Sequence, residues 1–255
     1  MKKIIITYLL LIIALILNAK VPDSLYQYIK KANKLYDSSQ YALAIKYYQK
    51  VIKNGYVAGE LFYNIANAYF KSGNIPNAIY YYEKALLLKP HEKKIKENLN
   101  LVNQYVKSDY SQYNPFILDK IFWFIITLLP SNAWATISFI LFVIAMVGTI
   151  LFFLSPKISI RKSGFIIGII AILLSVTTYF FAYEMDIYQN AGRYAIVMKT
   201  STVRSSPNTT GTQLFILAPG IKVKIQDKSA QWYQVKLPNN KSGWINQENI
   251  KLIKL

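Results

Sequence analysis

The chain of 255 residues carries 30 Lys and Arg against 12 Asp and Glu, a formal charge of +18, yet 53% of it is apolar and its mean hydropathy is positive. Charge and apolar residues are therefore segregated along the chain, which argues for membrane spans and against a purely soluble enzyme. With no cysteine, disulfides, thiolate metal sites and a cysteine nucleophile are excluded.

The chain opens on Met1-Lys2-Lys3, continues with apolar Ile4 to Leu17 and then Asn18-Ala19-Lys20, the order of a secretory signal. Residues 1–19 read as a signal peptide ending at Ala19 or, because Leu17 is bulky for the position two before a cleavage site, as an uncleaved N-terminal anchor. Either way the chain from Lys20 onward is exported.

Residues 20–114 are polar and rich in Lys and Tyr. Residues 25–58 align with 59–92 at an offset of 34, pairing Ala32 with Ala66, Leu35 with Tyr69, Ala44 with Ala78, Ile45 with Ile79, Tyr48 with Tyr82, Lys50 with Lys84 and Val51 with Ala85. The alanines let paired helices cross closely, and Tyr and Leu fill the gaps between them. Gly73-Asn74 ends one helix through a left-handed residue and Pro90 stops the next. Two such units leave apolar surface uncovered. Residues 93–107, with Ile95, Leu99, Val102 and Val106 at helical spacing, supply a capping helix.

These residues resemble the tetratricopeptide repeat. The second copy fits nearly throughout, whereas in the first Lys31 stands at a usually apolar position, Ser39 replaces the glycine and Tyr56 the proline. The resemblance implies a peptide- or helix-binding inner face, here Tyr26, Ile29, Asn33, Tyr36, Glu60, Tyr63, Asn67 and Phe70. Some relatives grip a C-terminal carboxylate with a clamp. Asn33, Asn64 and Lys94 stand at its positions, but Ile29 replaces a lysine and Asn98 an arginine, and the asparagines read equally as structural amides.

Residues 115–130 are apolar with Asp119 and Lys120 near the start, and Phe122-Trp123-Phe124 suits a membrane interface. Ser131 and Asn132 can cap a new helix. Trp134 to Leu154 gives 21 residues without an ionisable side chain, enough to cross about 30 Å of hydrocarbon, so residues 131–154 are the first transmembrane helix. Residues 164–183, 20 uncharged residues ending before Glu184 and Asp186, are the second. The loop 155–163 between them bears Lys157, Arg161 and Lys162 and no acid, which places it in the cytoplasm and both flanking domains outside. Residues 184–191 form a linker.

Residues 192–255 change to short alternating runs, Ala195 to Met198, Lys222 to Ile225, Trp232 to Lys236 and Gly243 to Asn246, about five strands separated by Ser-Pro-Asn, Ala-Pro-Gly and Pro-Asn-Asn turns. Val203-Arg204-Ser205-Ser206-Pro207, Pro219-Gly220-Ile221-Lys222-Val223, Gln231 to Val235 and Gly243-Trp244-Ile245 come in the order of the bacterial SH3-like domain, which they resemble. The resemblance implies a ligand face for peptidoglycan peptides or proteins, here Arg204, Trp232, Tyr233 and Trp244. Trp232 and Tyr233 are adjacent on a strand and point to opposite faces.

The excess charge divides into +2 over residues 1–19, +7 over 20–120, +3 over 155–163 and +6 over 184–255. No block dominates, so no nucleic-acid partner is expected. No phosphate loop, nucleophile elbow or HExxH occurs, and His91 alone cannot anchor a zinc. No catalytic residue, cofactor or metal is therefore expected.

The expected fold is a multidomain membrane protein with an α-helical tetratricopeptide repeat domain, two transmembrane helices and a C-terminal all-β SH3-like barrel. This order over the whole chain resembles the BatE proteins, encoded with von Willebrand factor A-domain membrane proteins in bacterial aerotolerance operons. The resemblance implies a non-enzymatic scaffold in the bacterial inner membrane, with Bat-type membrane proteins as partners. A receptor for cell-wall peptides is the alternative.

Overall fold

The computed structural model describes residues 23–106 and 117–255, and the expected signal or anchor lies outside the described residues. The described residues fall into two compact units, one ending at Val57 and the other beginning at Ala58.

In the first unit, α1 (Asp23–Asp37) packs on α2 (Tyr41–Lys53). Leu25 and Ala32 of α1, two turns apart, and Ala44, Ile45, Tyr48 and Val51 of α2 are buried, one stripe per helix as in an amphipathic helix. The two helices turn through Ser39, whose φ of 59° is left-handed. Its N–H bonds to Tyr36 O and the next N–H, of Gln40, reaches back to Leu35 O.

The second unit begins with α3 (Gly59–Lys71), α4 (Ile75–Leu88) and α5 (Lys93–Asn103). The α3–α4 turn repeats that of α1–α2 with the residue best suited to it, Gly73 at φ 79°, and Asn74 caps α4 by accepting the Asn77 N–H. Helix α5 is shorter than the expected 93–107: it ends at Asn103, and turns carry the chain to Val106.

Helix α6 (Ile117–Ile126) lies inside the segment expected at the membrane interface. Its Trp123 ring meets Tyr188 at 5.4 Å. His91 is exposed, bonds to Thr127 Oγ1 at 3.1 Å and sets its ring edgewise to Phe124.

Helices α7 (Ser131–Leu154) and α8 (Ile158–Asn190) are long and apolar enough to cross a membrane. Only 17% and 22% of their most apolar stretches are buried, so most of their apolar surface is left outside the chain's own packing. They form an antiparallel hairpin. Near one end the Ser138 and Ser175 hydroxyls each donate to the other's carbonyl at 2.9 Å, and near the other Gly148 and Gly164 touch. The hairpin differs from the expected boundaries at both ends. The loop shrinks from 155–163 to Ser155–Lys157, with Arg161 Nε donating to Phe152 O at the end of α7. The expected linker 184–191 is helical as far as Asn190. The reason is physical: Arg161 and Lys162 are helix formers that simply extend the second span, and helix propensity continues past the point where apolarity stops.

The barrel contains β1 (Tyr194–Val197), β2 (Ser201–Arg204), β3 (Gln213–Leu217), β4 (Lys222–Ser229), β5 (Trp232–Lys236), β6 (Ser242–Asn246) and β7 (Ile250–Ile253). They form one antiparallel sheet in the order β3-β2-β6-β5-β4-β1-β7. Seven strands replace the expected five; the apolar residues of β3 and β7 do not alternate cleanly. Ala195, Val197, Val203, Leu217, Val223, Val235, Leu237 and Ile245 make the core.

Within this unit the barrel, the second repeat and the end of α8 meet. Lys222 of β4 donates to Glu83 of α4 at 2.7 Å, Gln189 Nε2 of α8 donates to Leu87 O at 3.0 Å, and the Leu255 N–H donates to Gln189 O at 3.1 Å. Gly220, at φ 93°, sits where a Cβ would fall 2.7 Å from Val106 Cγ2 and 3.2 Å from Ile79 Cδ1. The second repeat and the barrel therefore occupy the same end of the hairpin, the end where α8 finishes.

Candidate binding faces of the repeats and the barrel

On α1 the expected residues Tyr26, Ile29, Asn33 and Tyr36 recur at helical spacing, with Tyr26 and Asn33 exposed and Ile29 and Tyr36 half-buried. Tyr36 sets its ring edgewise to Tyr41 at 5.4 Å. The Tyr48 hydroxyl of α2 donates to Asn33 Oδ1 at 2.6 Å. The buried Tyr48 thus gains a partner for its one polar atom, and the asparagine oxygen is already engaged. Burial and then the Asp37 charge push the Tyr48 phenol up to about 12.

The second repeat rebuilds this pair 34 residues on, with the Tyr82 hydroxyl donating to Asn67 Oδ1. A third helix joins in. Asn98 Nδ2 of α5 lies 3.0 Å from Tyr63 Oη, 3.2 Å from Asn67 Oδ1 and 3.5 Å from Tyr82 Oη. Tyr63 and Tyr82 pack with centroids 5.9 Å apart, Lys94 Nζ stands 5.3 Å from the Tyr63 ring, and Phe70 meets Tyr105 edgewise at 5.5 Å. Tyr63, Asn67 and Lys94 are thereby brought into one polar and aromatic cluster, Phe70 pairs with Tyr105, and Asn64 is half-buried next to Tyr63.

Glu60 commits its carboxylate to an ion pair with Lys89, which holds its pKa below the usual carboxylate range. Asn33 accepts from Tyr48, and Asn98 spends its amide hydrogens inside the tyrosine cluster, so both asparagines serve as structural amides. Tyr82 and Tyr105 are the residues that sequence reasoning did not place on this face. The 15-residue separation common to Asn33–Tyr48 and Asn67–Tyr82 was the available signal.

In the barrel, register sorts the expected residues. Trp232 lies opposite Asn246, Gln234 opposite Trp244, and Trp244 opposite Arg204, so all five share one face. The alternate residues Val203, Val235 and Ile245 are fully buried and define the other face as the core. Tyr233 packs on that core and leaves the expected ligand face, while Trp232, Trp244 and Arg204 remain half-exposed together. Arg204 ends β2 and donates from Nη1 to Gly211 O at 2.7 Å, so a loop carbonyl orients the guanidinium beside Trp244.

Residues 199–251 match the bacterial SH3 domain, and residues 59–92 match the tetratricopeptide repeat. No curated protein matches the chain. The repeat points to protein–protein interaction and the SH3 domain to the bacterial cell wall. Among the described residues, no group of three or more His, Asp or Glu side chains is placed to hold a metal ion.

Proposed function

We propose that this protein is a non-enzymatic scaffold anchored in the bacterial inner membrane by the α7–α8 hairpin. Both recognition domains face out of the cytoplasm, and the repeats hold a protein partner. The carrying observation is the contact of barrel, second repeat and α8 end: one domain that points to protein partners and one that points to the wall are fastened together at one end of an apolar hairpin. Lys157, Arg161 and Lys162 gather at its other end, which favours that end as cytoplasmic. The domain order, similar to BatE, supports Bat-type membrane proteins with von Willebrand factor A domains as the partner class, in a role linked to stress or oxygen tolerance.

Replacing Tyr63 and Asn67 together with alanine tests the partner face. Capture of a membrane protein by crosslinking in whole cells is lost while helicity stays, and undiminished capture removes the inner face from the reading. A reporter active only outside the cytoplasm, fused at Leu255, is active if the orientation is right.

The face shared by Arg204, Trp232, Gln234 and Trp244 favours a second reading, a receptor for peptidoglycan peptides, because a tryptophan pair beside an oriented cation suits an acidic peptide. Sedimentation of the detergent-solubilised protein with purified wall decides. Binding lost on Trp244→Ala favours the receptor, and no binding at all leaves the scaffold alone.

A further inference from the structure

The helix pairs α1–α2 and α3–α4 share one aromatic element. Tyr28 and Tyr47 lie 6.1 Å apart at 41°, and their counterparts 34 residues on, Phe62 and Tyr81, also lie 6.1 Å apart at 41°. A lysine stands over it in both copies: Lys50 Nζ is 5.6 Å from the Tyr28 ring and Lys84 Nζ is 4.4 Å from the Phe62 ring.

In the second copy the chain itself covers this face. Strands β1 and β7 pack on α4, and Lys251 Nζ of β7 stands 4.2 Å from the Tyr80 ring and 5.3 Å from the Tyr81 ring. Phe62, Ile65, Tyr80 and Tyr81 are buried.

In the first copy the same positions carry different chemistry. Lys46 stands where the second copy has Tyr80, and Lys31 where it has Ile65. Lys31, Lys46 and Lys50 are exposed, and Tyr28 and Tyr47 are half-buried. Lys31 Nζ is 4.8 Å and Lys50 Nζ 5.1 Å from the Tyr47 ring. The Tyr47 phenol is held below its ordinary value, first by the adjoining Lys31 ammonium and further by the charges of Lys50 and Lys46, so all three cations act at one point. The ion pairs among the described residues include none of them.

We infer that the face formed by Lys31, Lys46 and Lys50 around Tyr28 and Tyr47 docks an acidic, extended segment of a partner protein. The equivalent face of the second repeat accepts a protein strand, which argues for a polypeptide occupant. There a lysine-bearing strand lies on rings that carry a single lysine, Lys84; here three exposed lysines call for acidic residues in the occupant. A lipid surface would need only the charge, whereas the aromatic pair retained between the lysines accommodates apolar side chains alternating with the acids.

The probe is a fluorescein-labelled peptide of alternating Val and Glu, measured by anisotropy against the full chain in detergent, with a Val–Gln peptide as control. The acidic peptide binds in low salt, weakens as salt rises, and forms carbodiimide crosslinks to Lys31, Lys46 or Lys50. Replacing these three lysines with glutamine weakens binding at least about tenfold, while the equal charge change Lys199→Gln, Lys236→Gln and Lys241→Gln on the barrel leaves it within about twofold. Equal loss in the two triple variants, crosslinks elsewhere, or equal binding of the Val–Gln peptide overturns the proposal. So does displacement of the peptide when phosphatidylglycerol replaces phosphatidylcholine in nanodiscs, which would assign the face to the membrane. The glutamine substitutions are at exposed positions, and circular dichroism of the variant confirms that the helices persist.

Discussion

Lys222 and Glu83 are 139 residues apart in sequence and meet at 2.7 Å, joining strand β4 of the barrel to helix α4 of the second repeat. The Glu83 side chain is 13% exposed and that of Lys222 41%, so the pair lies at the edge of the contact, screened on one side. Burial alone would lower the Lys222 pKa, but the charge and hydrogen bond of Glu83, with smaller contributions from Tyr188 and Tyr194, outweigh it and raise it.

Glu83→Gln is therefore expected to loosen the barrel. Amide exchange at Ile221, Val223 and Ile79 rises, with a loss of about 1 kcal/mol in local stability, discounted for the exposure of Lys222. Because the Lys222 pKa is raised, the contribution is complete below the ordinary lysine value of 10.5 and disappears as the pH climbs above it. Unchanged exchange at these amides would show that apolar packing against Gly220 suffices to hold the contact.

Ser39 and Gly73 occupy equivalent left-handed positions, at φ 59° and 79°. A serine Cβ is strained there and a glycine is not. Ser39→Gly stabilises the first helix pair by about 1 kcal/mol and Gly73→Ser destabilises the second by a similar amount, both read from denaturant midpoints. Opposite signs in the two copies are the discriminating result.

Alkaline stability rises and then falls. Burial, with the Lys251 charge, pushes Lys84 down to about 8, so the stability linked to it is complete above 10.5 and is lost as the pH falls through 8. Burial pushes Tyr80 up to about 12, as it does Tyr48, and their contribution is present below 10 and lost as the pH climbs towards 12. The midpoint of thermal unfolding should be highest near pH 9 to 10, a window set by those values. Lys84→Met flattens the rising limb, leaving the smaller part that buried Lys251 contributes, and stabilises the protein at neutral pH; a profile unchanged in that variant would disprove the assignment.

Gly148 and Gly164 let the hairpin helices touch backbone to backbone. A Cβ on Gly148 would lie 2.7 Å from Gly164 O, and one on Gly164 2.8 Å from Gly148 O. Gly148→Leu forces the helices apart and costs about 1–3 kcal/mol, measured as a lower unfolding temperature in detergent, whereas Ile150→Leu, half-exposed on the outer surface, is neutral.

Much of this architecture is legible in the chain because it depends on local periodicity. The 34-residue offset foretells α1 to α4, uninterrupted apolar runs foretell α7 and α8, and alternation with turn residues foretells most of the barrel. Boundaries are less legible: a helix leaving an apolar run continues until something stops it, so α8 reaches Asn190. Tyr233 leaves the expected ligand face because strand parity says only that Trp232 and Tyr233 oppose one another; the burial of Val235 and Ile245 decides which of them faces the core.

By itself the sequence determined the repeat helices, the two long apolar helices and most of the strands, since these arise from spacing, capping and apolarity over a few turns of chain. Only the tertiary structure decided that Asn33 and Asn67 complete buried tyrosines, that Asn98 joins their cluster and that Lys222 finds Glu83. Those pairings bring together residues 15, 31 and 139 positions apart. Each depends on satisfying a polar group in a partly buried place, and that place exists only once the helices and strands have packed.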